Sequence, residues 1–219
     1  MPQILIVAAL VTALAAIASD WRETHPPLFK LLKPLTTGLI IAFAWQAPDG
    51  EYRTLLLIAL ACSLLGDIAL TSDSDPSFII GLASFLVAHL LFMLAFLDGV
   101  RDFYLPLWSL PILVFGIALF SVLLPRAPKP LRIPVLVYGL VLCAMAVTAL
   151  LRWEVLAGDT GRYALTGALL FVVSDSALGA RRFVGAYPAA QALILSTYWA
   201  AIGCIAYSAF NAVSRIAPL

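Results

Sequence analysis

Long apolar runs separated by short polar connectors make up almost the whole of this 219-residue chain. A transmembrane helix needs about 20 predominantly apolar residues, so each run is long enough to cross a bilayer. We predict eight spans, at about 3–19, 27–47, 54–70, 77–97, 103–124, 133–151, 161–180 and 188–210. The fold class that follows is an all-α integral membrane protein, a single domain in which eight transmembrane helices form one bundle.

Composition excludes the other fold classes. With 63% hydrophobic and 11% charged residues, the chain has too little polar surface for a soluble domain, in which about 25% of residues are charged. The strands of a membrane β-barrel alternate polar and apolar residues, whereas these runs are apolar on all sides. A net charge of +1 gives no basis for nucleic-acid binding, and we expect no nucleic-acid partner.

The first run has a second interpretation. A signal peptide is the alternative, because Ala16, Ile17 and Ala18 resemble a cleavage site. Signal peptides begin with positive charge, and here no Lys or Arg precedes the apolar residues. We therefore expect this run to be the first transmembrane span.

Positively charged residues predict the orientation, since cytoplasmic connectors carry an excess of Lys and Arg. Eight of the 13 Lys and Arg residues lie in or beside the odd-numbered connectors: Arg22, Lys30, Lys33, Arg126, Lys129, Arg132, Arg181 and Arg182. We expect these connectors in the cytoplasm and both termini outside, and a bacterial inner membrane as the location.

Two acidic residues stand inside apolar runs in matching contexts. Asp67 lies in the segment SLLGDIAL at 63–70, and Asp175 lies in FVVSDSAL at 171–178. A carboxylate within a span costs about 2.5–3.5 kcal/mol on insertion scales, so such a residue usually has a partner or a function. Because the echo links spans three and seven, it also suggests two four-helix halves, related as parallel repeats.

Depth along the spans predicts that several polar side chains share one end of the bundle. Asp67 and Asp175 each precede a span end by three residues, which puts both roughly 5 Å inside the same face. Lys33 enters from that face, early in span two, and His89 lies roughly 18 Å deep. We predict Asp67 and Asp175 as catalytic residues. The predicted substrate-binding residues are Lys33, His89, Tyr138, Ser174 and Tyr198.

Each of these residues also has a structural interpretation. The acids near the span ends could be solvated by headgroup water, Lys33 could snorkel to the headgroups, and His89 could be a hydrogen-bonded interhelical residue. Tyr138 and Tyr198 could be packing residues. With only two histidines and dispersed cysteines, we expect no metal site, and no cofactor motif is present.

Two carboxylates in one dry pocket cannot both ionise easily, so one becomes a general acid and the other a base or charge stabiliser. Such a pair suits hydrolysis through an oxocarbenium-like transition state. An intramembrane aspartyl protease is disfavoured, because its Gly-x-Gly-Asp motif would need Gly where Leu64 stands. A proton-coupled transporter or binder of small amphiphilic lipids, with the acids as a proton relay, is the alternative from another class.

A set of motifs in order from the second span to the eighth resembles the YhhN-like lysoplasmalogenase family. The matching segments are KPLTT at 33–37, GDIAL at 66–70, Phe78 with Gly81, Leu82 and Phe85, Ala88-His89, Tyr138, GALLF at 167–171, and SDSAL at 174–178. The resemblance implies an eight-span hydrolase that cleaves the vinyl ether bond of lysoplasmalogens to a fatty aldehyde and glycerophosphoethanolamine or glycerophosphocholine. The partners it implies are a lysophospholipid substrate, water and the surrounding membrane lipids.

Overall fold

The computed structural model describes residues 2–21, 26–72, 74–156 and 158–212. Over these ranges the chain is helical with no strand, and eight α-helices follow one another. Their bounds are α1 Pro2–Ser19, α2 Pro27–Ala44, α3 Glu51–Ala69, α4 Asp75–Leu97, α5 Leu110–Arg126, α6 Arg132–Leu156, α7 Asp159–Phe183 and α8 Ala190–Ser208. Short 3-10 turns at Leu107–Ser109, Lys129–Leu131 and Ala209–Asn211 adjoin α5, α6 and α8.

All eight of these helices are long and apolar enough to cross a membrane. The predicted fold class, an all-α membrane protein with eight spans, is confirmed. Two helix bounds differ visibly from the expected spans. The fifth helix begins at Leu110 and not near Phe103, because the chain from 101 to 106 is irregular up to Pro106. The sixth helix continues to Leu156, beyond the expected end at 151.

Helix α8 lies at the centre of the bundle. It packs mainly on α7 and also contacts α1, α2 and α3. Small residues allow the close α7–α8 contact: a Cβ atom added at Gly167 would lie 2.6 Å from the carbonyl oxygen of Ala201. The hydroxyl group of Ser174 on α7 donates a 3.0 Å hydrogen bond to the carbonyl of Ile194 on α8. Helix α1 is the opposite case, largely exposed at the periphery.

Polar side chains collect at the two ends of the bundle. At the end that carries the odd-numbered connectors, a cavity is bounded by the ends of α3 and α7 and the start of α8. The opposite end holds a second polar cavity beside Arg152. This guanidinium group is buried, donates hydrogen bonds to the carbonyl groups of Ala95, Phe96 and Asp98 at the end of α4, and lies 4.1 Å from the centre of the Tyr52 ring.

Candidate active site

The cavity at the odd-connector end has a volume of about 230 Å³ and draws its walls from five helices. Among its lining residues are five of the seven predicted from the sequence: Lys33, Asp67, Ser174, Asp175 and Tyr198. Asp67 comes from α3 and Asp175 from α7, so residues more than a hundred positions apart contribute to one cavity. Leu70, Phe78, Phe85, Leu178, Ile194 and Leu195 supply its apolar walls.

Asp67 has a full set of hydrogen-bond and ionic partners although its side chain is 1% exposed. The hydroxyl groups of Thr37 and Tyr198 donate to Oδ2, at 2.5 Å and 2.7 Å. The Nζ atom of Lys33 lies 3.6 Å from Oδ1. A buried carboxyl group needs hydrogen-bond and ionic partners, and these three groups from α2 and α8 supply them.

Asp175 has different partners. The hydroxyl group of Tyr138 on α6 donates a hydrogen bond to its Oδ2 atom. His89 Nε2 on α4 lies 3.6 Å from the same oxygen, slightly beyond hydrogen-bond reach. Within the described ranges no Lys or Arg side chain forms an ion pair with Asp175. One acid is therefore paired with a cation, while the other contacts a hydroxyl group and lies beside an imidazole.

His89 is fully buried within an aromatic cluster. Its ring lies edge-on to Phe171 and Tyr138, with centroids 4.7 Å and 5.3 Å away. Neither ring nitrogen hydrogen-bonds to another described residue. A buried polar atom without a hydrogen-bond partner in the protein is uncommon in folded proteins. The interhelical hydrogen bond that was the structural alternative for this residue is absent from the described chain.

Glycine allows an aromatic ring to lie close beside Asp67. A Cβ atom added at Gly66 would lie 2.6 Å from Phe85 Cε2. The Phe85 ring then meets Tyr198 edge-on at 5.7 Å, and Tyr198 meets Phe171 at 5.5 Å. These rings form an apolar wall of the acid-lined cavity, which limits the water around the carboxyl groups.

Sequence reasoning did not assign the polar rim of the cavity to the site. Arg181 donates to the side-chain oxygen of Gln191, whose amide group donates 3.0 Å to the buried Asp20. Arg182 forms an ion pair with Asp75. The sequence analysis used both arginines only for topology. The sequence signal that could have found them is their position on the same helix as Asp175, six and seven residues or about two turns beyond it.

Thr37 is a second residue that sequence reasoning did not place in the site. It is buried and hydrogen-bonds to Asp67, and it accepts a 3.3 Å hydrogen bond from the indole group of Trp199. Its spacing of four residues from Lys33 puts both side chains on one face of α2. That spacing was visible in the sequence.

A second, apolar cavity adjoins the first. It lies among α4, α5, α6 and α7 and has a volume of about 60 Å³. Leu82, Leu119, Phe120, Leu123, Val135 and Leu142 line it, together with Tyr138. Five residues line both cavities: Leu70, Phe78, Phe85, Asp175 and Leu178. The side chain of Asp175 therefore borders both cavities.

Metal ligation has no candidate group in the described ranges, since no three His, Cys, Asp or Glu side chains come together there. The chemistry that the site supports is that of two buried carboxyl groups, two phenol groups, one imidazole and a cationic rim. Proton transfer, stabilisation of a positive intermediate and binding of an anionic head are all within its reach.

Fold and site together define a polytopic helical membrane protein with an acid-lined cavity near one end of its bundle. The YhhN family model matches residues 28–209. The chain belongs to the YhhN family, and the resemblance noted from its motifs is confirmed.

Similar proteins extend over most of this chain. It is 37% identical over 182 residues to lysoplasmalogenase TMEM86B of Homo sapiens, covering 83% of this chain and 75% of the relative. Identity to lysoplasmalogenase TMEM86B of Rattus norvegicus is 38% over 164 residues, 74% of this chain and 64% of the relative. The uncharacterized membrane protein YhhN of Escherichia coli O157:H7 is 36% identical over 98 residues, 44% of this chain and 46% of the relative. No solved structure matches the chain.

Proposed function

We propose that this protein is a lysoplasmalogenase, which hydrolyses the vinyl ether bond of lysoplasmalogens to a fatty aldehyde and glycerophosphoethanolamine or glycerophosphocholine. The observation that carries the proposal is the single cavity lined by Asp67 and Asp175, in a chain similar to proteins named lysoplasmalogenases. A lysolipid is a suitable ligand because the cavity lies at one end of a membrane-spanning bundle. At that depth the polar head of an amphiphile faces water while its hydrocarbon tail lies in the membrane.

The proposed reaction is acid-catalysed hydration followed by collapse. One carboxylic acid donates its proton to the vinyl carbon next to the alkyl chain, and the π-electron pair forms the new C–H bond. The oxocarbenium ion that results is centred on the carbon that carries the ether oxygen. The second carboxylate removes a proton from water as the water oxygen bonds to this carbon, giving a hemiacetal.

Collapse of the hemiacetal restores both acids. The carbon–oxygen bond to the glycerol breaks, and the glycerol oxygen takes the proton held by the second carboxyl group. The hemiacetal hydroxyl group returns its proton to the first carboxylate as the aldehyde forms. One water is consumed, and no cofactor enters the balance.

The neighbours of the two acids act by positioning them. Tyr138 holds the Asp175 carboxyl group, and Tyr198 with Thr37 holds that of Asp67. The Nζ atom of Lys33 lies 3.6 Å from Asp67 Oδ1, where its positive charge balances the negative charge of a carboxylate. His89 offers unpartnered ring nitrogens beside Asp175, where it can orient the carboxyl group or the attacking water. Ser174 contributes to the cavity wall between α7 and α8.

The phosphate of the substrate binds at the polar rim in this proposal. Arg181 and Arg182 line the cavity together with Lys33, and guanidinium groups suit phosphate because they donate paired hydrogen bonds. The contacts of Arg182 with Asp75 and of Arg181 with Gln191 hold these side chains at the rim. Lys33 adds positive charge from behind Asp67.

Substitution of the two acids tests the proposal. The purified wild-type protein with lysoplasmenyl-ethanolamine and water should release aldehyde without any ion gradient, which transport cannot do. Asp67→Asn and Asp175→Asn should each abolish release while the protein remains folded in detergent. Asp49→Asn, an exposed acid at the opposite end, is the matched control and should keep full activity. Activity within a few-fold of wild type in either site variant would remove that residue from the mechanism.

We propose further that the cavity opens to the cytoplasm of a bacterial cell, through the inner membrane that contains the protein. The excess of Lys and Arg around the odd-numbered connectors supports this orientation. A cysteine placed at exposed Ser72, beside the cavity, should react with an impermeant thiol reagent only after the membrane is opened. Labelling in intact spheroplasts would show that the cavity opens to the outside of this membrane and would contradict the proposed orientation.

A further inference from the structure

The structure divides the site at Asp175 into a polar and an apolar part. On one side lies the cavity of about 230 Å³ with Asp67, Lys33 and the arginine rim. On the other lies the narrower cavity among α4, α5, α6 and α7, which we term the apolar slot. Apart from Tyr138, Asp175 and Ser176, its lining side chains are hydrocarbon or glycine.

We propose that the apolar slot binds the alkenyl chain of the lysolipid next to the vinyl ether, and that this fixes Asp175 as the proton donor to carbon and Asp67 as the base for water. The inference rests on the proposed function and deepens it. A hydrocarbon chain is the occupant that the lining favours, because burying apolar surface contributes about 25 cal/mol per Å². A hydrocarbon chain also has no polar groups that would need hydrogen-bond partners in the slot.

The lining residues shared by the two cavities indicate the direction of the substrate. An amphiphile with its phosphate at Arg181 and Arg182 and its chain in the slot passes Asp175, since this residue lines both cavities. Asp67 lines only the polar cavity. In the vinyl ether, the carbon that accepts the proton is on the chain side, and the carbon that accepts water carries the ether oxygen. The order along the substrate therefore matches the order of Asp175 and Asp67 along the two cavities.

The partners of the two acids agree with this assignment. Asp67 has Lys33 Nζ at 3.6 Å and two hydroxyl donors beside it, and these groups can balance the charge of a carboxylate that acts as a base. Asp175 contacts the Tyr138 hydroxyl group and the edge of the His89 ring and lacks a cationic partner among described residues. Of the two acids, Asp67 is therefore the one with a cation beside it, and Asp175 is the one whose described neighbours are a phenol group and an imidazole.

A second apolar groove is the alternative place where the alkenyl chain could bind. It lies among α1, α2 and α8, has a volume of about 430 Å³ and is lined by residues such as Leu10, Leu14 and Gly203. Neither acid lines it, and it shares no lining residue with the polar cavity. A chain bound there could not place its ether bond between Asp67 and Asp175.

Photo-crosslinking of the wild-type protein locates the chain. The probe is a 1-O-alkyl lysophosphatidylethanolamine, which lacks the cleavable double bond, with a diazirine a few carbons from the ether. Adducts should map to α5 and α6 residues that line the slot, among them Leu119 and Val135, and unlabelled lysolipid should compete. Adducts on α1 and α8, or adducts that are not competed, would overturn the slot. Since this readout needs no turnover, a protein that fails to release aldehyde while labelling in the slot would refute the function alone.

Narrowing the slot gives a second, kinetic test. Leu82→Trp places a bulky ring in the slot from a half-buried position. Gly203→Trp is the matched control in the α1/α2/α8 groove, where an added Cβ atom meets nothing within 4 Å. Leu82→Trp should lower kcat/KM for a hexadecenyl substrate by about 10-fold or more and leave a propenyl substrate within about two-fold. Equal losses on both substrates, or a chain-selective loss in the control, would contradict the slot.

Azide rescue tests the two roles. In Asp67→Asn the carbon is still protonated but water is not activated, so azide, which needs no base, should capture the oxocarbenium ion and restore substrate consumption. In Asp175→Asn no ion forms, and azide should have no effect. Rescue of Asp175→Asn, or of neither variant, would overturn the assignment.

Discussion

The Tyr198 hydroxyl group on α8 donates a 2.7 Å hydrogen bond to the Asp67 carboxylate on α3, across 131 positions of the chain. Tyr138 on α6 serves Asp175 on α7 in the same manner. Each acid is thus fixed by a phenol group from a different helix. Both phenols belong to the aromatic cluster, so the packing of the core also sets the orientation of the carboxyl groups.

Removal of the Tyr198 hydroxyl group should weaken catalysis without unfolding the protein. A hydrogen bond to a charged group contributes about 1.5–3 kcal/mol, so Tyr198→Phe should lower kcat roughly 10- to 100-fold. Aldehyde release in detergent measures this. Tyr207→Phe, at an exposed tyrosine of the same helix, is the control. A rate for Tyr198→Phe within two-fold of wild type would show that Thr37 and Lys33 suffice to hold Asp67.

The Lys33–Asp67 ion pair should behave as one unit in a double-mutant cycle. Removing one member of a buried pair leaves an unpaired charge, so Lys33→Met and Asp67→Asn should each lower the free energy of unfolding by about 3 kcal/mol. The double variant should lose less than the sum, with a coupling of about 1–3 kcal/mol. Denaturant unfolding in detergent gives these values. Lys30→Met, at an exposed lysine one turn earlier, should have little effect, and additive losses would mean that the pair contributes no coupling.

His89→Phe should separate the chemical role of this residue from its packing role. Phenylalanine fills a similar space among Phe171 and Tyr138 but has no ring nitrogen. We expect kcat to fall roughly 100-fold, within the range for a lost acid–base or orienting group, with an unchanged melting temperature. His89→Gln keeps a polar group and should retain more activity than His89→Phe. Full activity in both variants would assign His89 to packing.

Gly167 should be indispensable for the contact between α7 and α8. In Gly167→Val the new Cβ atom would lie 2.6 Å from the Ala201 carbonyl oxygen, and backbone cannot move aside as a side chain does. We expect destabilisation of about 3 kcal/mol or loss of the folded protein. Gly203→Val, where the added side chain meets open space, is the control. Size-exclusion profiles and thermal unfolding compare the two, and equal stability would mean that α8 can shift.

Arg152 should stabilise the end of the bundle that is remote from the site. Its guanidinium group donates to three carbonyl oxygens at the end of α4 and stacks on Tyr52. Arg152→Met should lower the free energy of unfolding by about 2 kcal/mol and the melting temperature by roughly 4–8 °C. The cavity beside Arg152 and the cavity lined by Asp67 and Asp175 are at opposite ends of the bundle. The kcat of Arg152→Met at low temperature should therefore stay unchanged. A large loss of kcat at full stability would connect Arg152 to the site.

Much of the fold could be predicted from the sequence, because a helix that crosses a bilayer needs about 20 predominantly apolar residues. Apolar runs such as 77–97 coincide closely with α4, Asp75–Leu97. The connector at 101–106 was predicted less well, because it is irregular and α5 starts only at Leu110. Hydrophobicity alone does not distinguish Phe103 and Tyr104 in an irregular connector from the same residues in a helix. The two-halves arrangement suggested by the Asp echo stays a prediction.

The site was readable in part. Asp67, Asp175 and Lys33 were identifiable because a charge in an apolar run is costly and therefore conspicuous. Thr37 and Gln191 were not identified, since polar residues of modest cost give no such signal. The buried Asp20, which accepts from Gln191, was assigned to a connector, because its neighbours along the chain are polar.

By itself the sequence determined the eight helices, their order and the approximate depth of each charge, because these depend on local hydrophobicity and the 1.5 Å rise of a helix. Only the tertiary structure decided which acid has the lysine and which has the phenol and the imidazole. The same holds for the position of Asp175, which lines both the polar cavity and the apolar slot. Those features depend on how five helices rotate and pack against each other, and that is set by side-chain contacts between segments far apart in the chain.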